Sequence, residues 1–157
     1  MSYLKFILKS LLSIAIISLL VGCDEDKSSD ILQIELDEQQ EAAIGLRGKW
    51  GQASDIELPF GTTPTVLDDL VVEFRIDNDY QPSTFTVDGA EYFFDAADAT
   101  WSWEEGSSEN IVLTNVSPVT TINVLKDESK IRLVFTYSNG RVTGLGEYGC
   151  TLTKIAP

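Results

Sequence analysis

From Leu70 to Ile76 the chain alternates strictly, with Leu70, Val72, Phe74 and Ile76 on one side and Val71, Glu73 and Arg75 on the other. A period of two is the repeat of a half-buried strand, because successive side chains leave opposite faces of a pleated backbone. The pattern recurs along the rest of the chain, and each recurrence is cut off by Gly, Pro, Asn, Asp or Ser. Thr84-Phe85-Thr86-Val87 runs into Asp88-Gly89, read as a hairpin turn, and returns through Tyr92-Phe93-Phe94. Trp101 and Trp103 share a face of the next strand, and residues 105–108 break it before Ile111-Val112-Leu113. Ser117-Pro118 separates that strand from the one carrying Ile122 and Val124. Residues 126–129 then turn the chain into Ile131, Leu133, Phe135 and Tyr137. Asn139-Gly140 is the strongest turn signal, since both residues accept the positive φ of a type I′ turn, and a closing strand follows over 148–154.

Eight or nine short sequential strands joined by tight turns make an antiparallel up-and-down meander the simplest topology. Such a sheet has two edges to hide, and closing it into a barrel removes both. The expected fold is therefore an all-β, eight- to nine-stranded closed barrel with one short N-terminal helix. That helix falls at residues 37–45, where Asp37 can cap it and Gln40 stands at the third helical position to complete a capping box. Glu38 and Glu41 favour its positive end, and Gly45 is placed to stop it. The longest connection, residues 59–68 with Gly61, Pro64 and three threonines, could form a lid at one barrel mouth.

The N terminus has a different character. Lys5 and Lys9 open a stretch that is apolar from Leu11 to Val21 and ends in Leu20-Val21-Gly22-Cys23. This is the layout of a secretory signal, except that the residue after the cleavage point is cysteine. It resembles the bacterial lipobox, whose cysteine receives a diacylglycerol thioether before cleavage. The resemblance implies a signal peptide over 1–22 and lipid attachment at Cys23. The acidic run that follows reads as a tether over 23–36, and the helix and strands beyond it as a barrel domain over 37–157. An uncleaved membrane helix is the alternative, but Lys9, Ser10, Ser13 and Ser18 interrupt a stretch already short of the ~20 residues a span needs. Several acyl chains at ~0.8 kcal/mol per buried methylene would give stable anchoring, where one chain would be reversible.

Only two cysteines occur, so if Cys23 carries lipid, Cys150 has no intramolecular partner despite the oxidising envelope a signal implies. Alternation puts Cys150 on the face of Tyr148 and Leu152, which reads as a core thiol. The formal charge is −14, and loss of Lys5 and Lys9 with the signal takes the mature chain to −16. A chain this acidic lacks the basic stripe that phosphates require, so nucleic acid is not an expected partner. Eight carboxylates against Lys27 alone in residues 24–41 repel one another and extend the leader. Within it Leu32, Ile34 and Leu36 alternate and could add an edge strand, although residues 28–36 read better as linker.

Three further segments carry a family resemblance. Leu46-Arg47-Gly48-Lys49-Trp50 resembles the opening strand of lipocalin-like domains, where Gly-x-Trp follows a short helix and the tryptophan plugs the barrel floor. With Thr100-Trp101-Ser102-Trp103 and the closing residues 146–154, the chain resembles the small lipocalin-like lipoproteins of Bacteroidota, over roughly residues 37–157. The resemblance implies that Trp50 is the structural floor, with Arg141 or Arg132 as the late arginine packed over it. The family's Thr-Asp-Tyr signature and inter-strand disulfide are absent, so no binding pocket transfers. Asp24 resembles the inner-membrane retention signal of enterobacteria, whereas the acidic run behind Cys23 resembles the surface-export signal of Bacteroidota. The expected location is accordingly the cell envelope, at the outer membrane.

With no histidine in the chain, Ser-His-Asp and Cys-His nucleophile systems and histidine zinc sites are excluded. A glycosidase-type carboxylate pair would have to come from acids such as Asp68, Asp69, Glu104 and Glu105, but adjacent acids in turns are usually solvated. Asp77-Asn78-Asp79 offers oxygens for calcium yet lacks the rest of an EF-hand loop, and an Asx turn accounts for it without an ion. No cofactor, metal or catalytic residue is expected. Two functions remain. In the first, the aromatic interior, including Phe74, Phe85, Trp101 and Trp103, receives a small apolar or amphipathic ligand. In the second, the same rings fill a solid core and the surface docks another envelope component.

Overall fold

In the computed structural model, residues 35–138 and 144–155 are described. The signal and lipidation segment, the alternation at Leu32 and Ile34, the Asn139-Gly140 turn and Arg141 lie outside them. Residues 36–157 form one unit. Its described residues form helix α1 (Glu38–Leu46) and eight strands: β1 (Gly48–Glu57), β2 (Val71–Ile76), β3 (Pro82–Asp88), β4 (Phe94–Trp103), β5 (Asn110–Pro118), β6 (Thr121–Asp127), β7 (Lys130–Tyr137) and β8 (Gly146–Ile155). Each strand pairs with the next, and β1 closes on β8, so the sheet is a closed antiparallel barrel in simple meander order.

The helix starts as its local chemistry dictates. The Asp37 carboxylate accepts from Gln40 N at 2.8 Å, and Gln40 Oε1 accepts from Asp37 N at 3.0 Å, completing the capping box. It does not stop at Gly45. The helix runs one residue further, because Leu46 is buried beneath it, and the positive φ that turns the chain into β1 falls on Gly48 at +128°.

The strands keep the alternation read from sequence. Ile131, Leu133, Phe135 and Tyr137 of β7 point inward and face Leu152, Cys150, Tyr148 and Gly146 of β8. Several boundaries differ from the sequence reading: Leu70 falls in the connection before β2, and β8 starts two residues before and ends one residue after the 148–154 read from sequence. Asp88-Gly89 is not a two-residue hairpin: Phe93 N and Phe94 N both donate to Ala90 O, so Tyr92 and Phe93 belong to a turn and β4 begins at Phe94. Pro118 ends β5, leaving Val119 and Thr120 as the connection to β6. The Lys126 to Ser129 turn narrows to Glu128 and Ser129, Glu128 taking a φ of +45°.

Closure needs curvature, and β-bulges supply it. The β1–β8 register slips twice, between Gly51 and Ser54 and between Ser54 and Glu57, with Gln52 and Asp55 in left-handed conformations. The β4–β5 register slips between Ala96 and Thr100, where Asp98 is left-handed and its carbonyl accepts from Asn115 Nδ2 at 3.3 Å.

Both barrel ends are covered. At one end α1 buries Ala43 and Leu46, while Gln39 Nε2 donates to Ser107 O at 2.7 Å and Gln40 Nε2 to Asp79 O at 3.0 Å. These bonds tie the helix across the β4–β5 and β2–β3 connections. At the other end residues 58–70 wind through successive turns and insert Leu67 and Leu70, both fully buried. Val119 and Phe93 complete that layer.

Candidate functional site

The sequence directs attention to Phe74, Phe85, Trp101 and Trp103. Strands β2, β3 and β4 bring all four together. Phe74 and Phe85 are direct cross-strand partners with ring centroids 5.3 Å apart. Phe74 meets Trp101 edge-on at 5.3 Å, and Trp101 meets Trp103 edge-on at 5.2 Å. The edge-to-face arrangement sets the positive rim of one ring against the negative face of the next, worth about 0.5–1.5 kcal/mol per pair beyond the area buried. Phe74, Phe85 and Trp101 are no more than 2 % exposed, and Trp103 is half-buried.

Neither indole offers a donor to a ligand. Trp101 Nε1 donates to Arg75 O at 2.8 Å, and Trp103 Nε1 donates to Gln39 O at 3.0 Å. Each tryptophan thus ties its strand to a neighbouring element, Trp103 to α1 itself.

The ring system continues to the far end through residues the sequence reading did not single out. Phe85 touches Phe94, Phe94 touches Phe135, and Phe135 stacks on Tyr148 at 5.3 Å with the planes 4° apart. Phe93 lies 4.7 Å from Tyr148. The Tyr148 hydroxyl donates to Gly144 O and shares a 3.3 Å hydrogen bond with Thr62 Oγ1, so the tyrosine's one polar atom is spent on the covering loops. The β7 and β8 alternation put Phe135 and Tyr148 inside; the mutual contacts of the rings depend on registers that sequence does not specify.

Trp50 lies at the α1 end, fully buried, with Nε1 donating to Leu46 O at 2.8 Å. The cation over its ring is Lys154, with Nζ 5.1 Å from the centroid. Arg132, one of two arginines expected there, instead lies against the outer wall. Its guanidinium meets Glu57 Oε2 at 2.6 Å and donates to Asp55 O at 2.8 Å. Register decides this: Lys154 is the cross-strand partner of Trp50, whereas Arg132 faces Thr151 higher on the wall.

A pocket for an amphipathic ligand is mostly apolar with a few convergent polar groups. Among the described residues no polar or charged side chain is buried inside the barrel, and no buried side-chain nitrogen or oxygen lacks a partner. Four crevices on the described surface hold about 310–360 Å³ each; one is lined by residues that include Ile111, Ile122 and Phe135, and another lies against α1. None is lined by Phe74, Phe85, Trp101 or Trp103.

Asp68 and Asp69 sit on the long covering loop, whereas Glu104 and Glu105 sit at the α1 end, and all four are exposed. Asp77 Oδ1 accepts from the backbone of Asp79 and of Gln81, both at 2.9 Å, which is the bonding of an Asx turn. Among the described residues no three metal-ligating side chains converge. Glu73 is held below the usual carboxylate range by its hydrogen bond from Arg75 Nε at 2.7 Å. Cys150 is fully buried between Tyr148 and Leu152, and burial pushes its thiol up to about 11.

Comparison with protein-family models, curated proteins and solved structures finds no match for the chain.

Proposed function

We propose that the chain is a lipid-anchored, non-catalytic protein of the bacterial cell envelope, tethered at the outer membrane through Cys23, whose barrel is a solid scaffold that docks another envelope component. One observation carries the choice of scaffold over container. The interior positions that would line a pocket are largely occupied by each other, ring against ring at 5.0–5.3 Å from Trp103 through Phe74 to Phe85 and from Phe94 through Phe135 to Tyr148, with Phe85 and Phe94 6.4 Å apart between the two runs. Helix α1 covers one end of that stack and the 58–70 connection the other. The competing reading, a small apolar or amphipathic ligand among these rings, requires Phe74 and Trp101 to part and one covering element to lift.

Titration of residues 24–157 with an apolar fluorophore separates the two readings. A solid scaffold gives no saturable quenching of the indoles and an unchanged melting temperature. Saturable quenching with a raised melting temperature would overturn the scaffold reading, since a ligand that binds only the native state stabilises it.

A further inference from the structure

The two ends of the barrel differ in chemistry. At the end covered by the 58–70 connection, three large apolar side chains stand in water: Phe60, entirely exposed, and Tyr92 and Leu145, each about half exposed at 49 % and 50 %. Scattered exposed apolar residues are ordinary. These three come from three different connections and lie on one end of the fold.

Phe60 is held out rather than left loose. Thr62 N donates to Pro59 O at 3.2 Å, closing a turn whose third residue, Gly61, takes a φ of +86° that favours glycine. Thr62 is bound to the Tyr148 hydroxyl, and Pro59 lies against Gly146, where an added Cβ would approach it to 3.1 Å. Tyr92 packs on Tyr137 with ring centroids 5.8 Å apart. Aromatic side chains pre-positioned on anchored turns lose little freedom on binding, which is the property of interface hot spots.

Among the described residues the charge around them has one sign; Arg141, in the same connection as Leu145, lies outside those residues. Asp68, Asp69, Asp88, Glu91, Asp95 and Glu147 are exposed at this end. Among the described residues no lysine or arginine joins them. Arg47, Lys49, Arg75, Lys126, Lys130 and Lys154 all belong to the α1 end, and Arg132 on the wall is engaged by Glu57. The chain enters the barrel at Leu36 and Asp37, on that same α1 end. The apolar, acidic end is thus opposite the point where the leader joins.

We infer that this rim is the docking face of the scaffold, and that its partner is a protein surface presenting an apolar socket for Phe60 ringed by lysine and arginine. This rests on the scaffold reading above and assigns it a face and a partner chemistry. A second copy of the chain would bring the same acids against each other, and an anionic lipid surface would meet them likewise; like charges in an interface suppress both. A basic partner gains on approach, with an association rate that falls as salt rises.

Two measurements on the full-length chain test the inference. First, an amphipathic Lys/Leu peptide and a Glu/Leu peptide of the same pattern serve as probes. The Lys/Leu peptide is expected to bind, more weakly in high salt, and Phe60→Ala to weaken it at least about tenfold. Paired Asp68→Asn and Glu91→Gln should flatten the salt dependence. Equal binding of both peptides, or no effect of Phe60→Ala with the melt unchanged, would overturn the rim. Second, a photo-crosslinking amino acid is placed at position 60 and, separately, at position 105 on the opposite end, in cells of the source organism. A discrete adduct at position 60 with a different protein, through a Lys/Arg-bearing peptide, is expected. Adducts with a second copy, with lipid or with an acidic peptide, or none at position 60, overturn the inference. Adducts at position 105 alone would overturn the rim while leaving the scaffold reading standing. A ligand found inside the barrel would instead remove the scaffold reading itself.

Discussion

Trp50→Ala removes the largest fully buried side chain at the α1 end. The side chain is 0 % exposed, so truncation forfeits the whole ring's burial and leaves a hole among neighbours held by β1, β2, β8 and α1. Substitutions of this kind cost about 3–5 kcal/mol. The Nε1–H bond to Leu46 O also goes, leaving a helix-terminal carbonyl short of its donor at about 1 kcal/mol. Lys154 loses the ring beneath it, worth about 0.5–1 kcal/mol at a partly exposed site. The total is about 4.5–7 kcal/mol, or a melting temperature lower by roughly 18–28 °C at about 4 °C per kcal/mol for a domain of this size. Trp50→Phe keeps most of the ring and should cost about 1–3 kcal/mol. Urea unfolding of residues 24–157, followed by circular dichroism with the m-value checked for constancy, measures both. A loss below about 1 kcal/mol for Trp50→Ala would refute this reasoning, because surface substitutions give such values and a buried tryptophan does not.

Cys150 should resist thiol reagents at pH 8 in the native protein and react promptly in denaturant, since the thiol is buried and pushed up to about 11. Its folded pKa lies above its unfolded value, so the stabilisation it contributes is complete below about pH 9 and is lost as pH rises from there toward 11. Over that window wild type should lose about 2–3 kcal/mol more than Cys150→Ala; parallel losses would place the thiol in water. For the anchor, Cys23→Ser in the full chain should abolish labelled-palmitate incorporation and leave an unprocessed precursor, whereas normal processing and membrane retention would remove the lipid-anchor proposal.

How far the sequence could be read depended on the range of the interaction involved. The capping box of Asp37 and Gln40 was legible because all its atoms lie within one turn. The inward set of β7 was legible because a period of two needs no partner to define it, and the closed meander followed from the short connections. The bulges were not legible: Gln52, Asp55 and Asp98 adopt positive φ without being glycine, at register slips in pairings with strands distant in sequence or across a long turn. Tyr92 and Phe93 looked like a strand because aromatic residues favour strands, yet Phe93 is drawn into the turn to cap the ring stack. At the candidate site, the alternation placed Phe74, Phe85 and Trp101 inside, but pocket and core share that pattern. What distinguishes them is where the indole N–H groups go, and their acceptors, Arg75 O and Gln39 O, are 26 and 64 residues away. Lys154, rather than Arg132, covers Trp50 for the same reason: the β1–β8 pairing joins opposite ends of the sequence.

The central claim, a barrel filled by its own aromatic side chains, is tested most directly by crystals of residues 24–157 under xenon pressure. Xenon enters dry apolar cavities and needs no chemical recognition to do so. The ring contacts of 5.3 Å joining Phe85 to Phe74 and Phe74 to Trp101 leave no room for it, so no xenon site is expected within the strands. An ordered xenon atom enclosed by Phe74, Phe85 and Trp101 would contradict the account and return the aromatic interior to the status of a binding cavity.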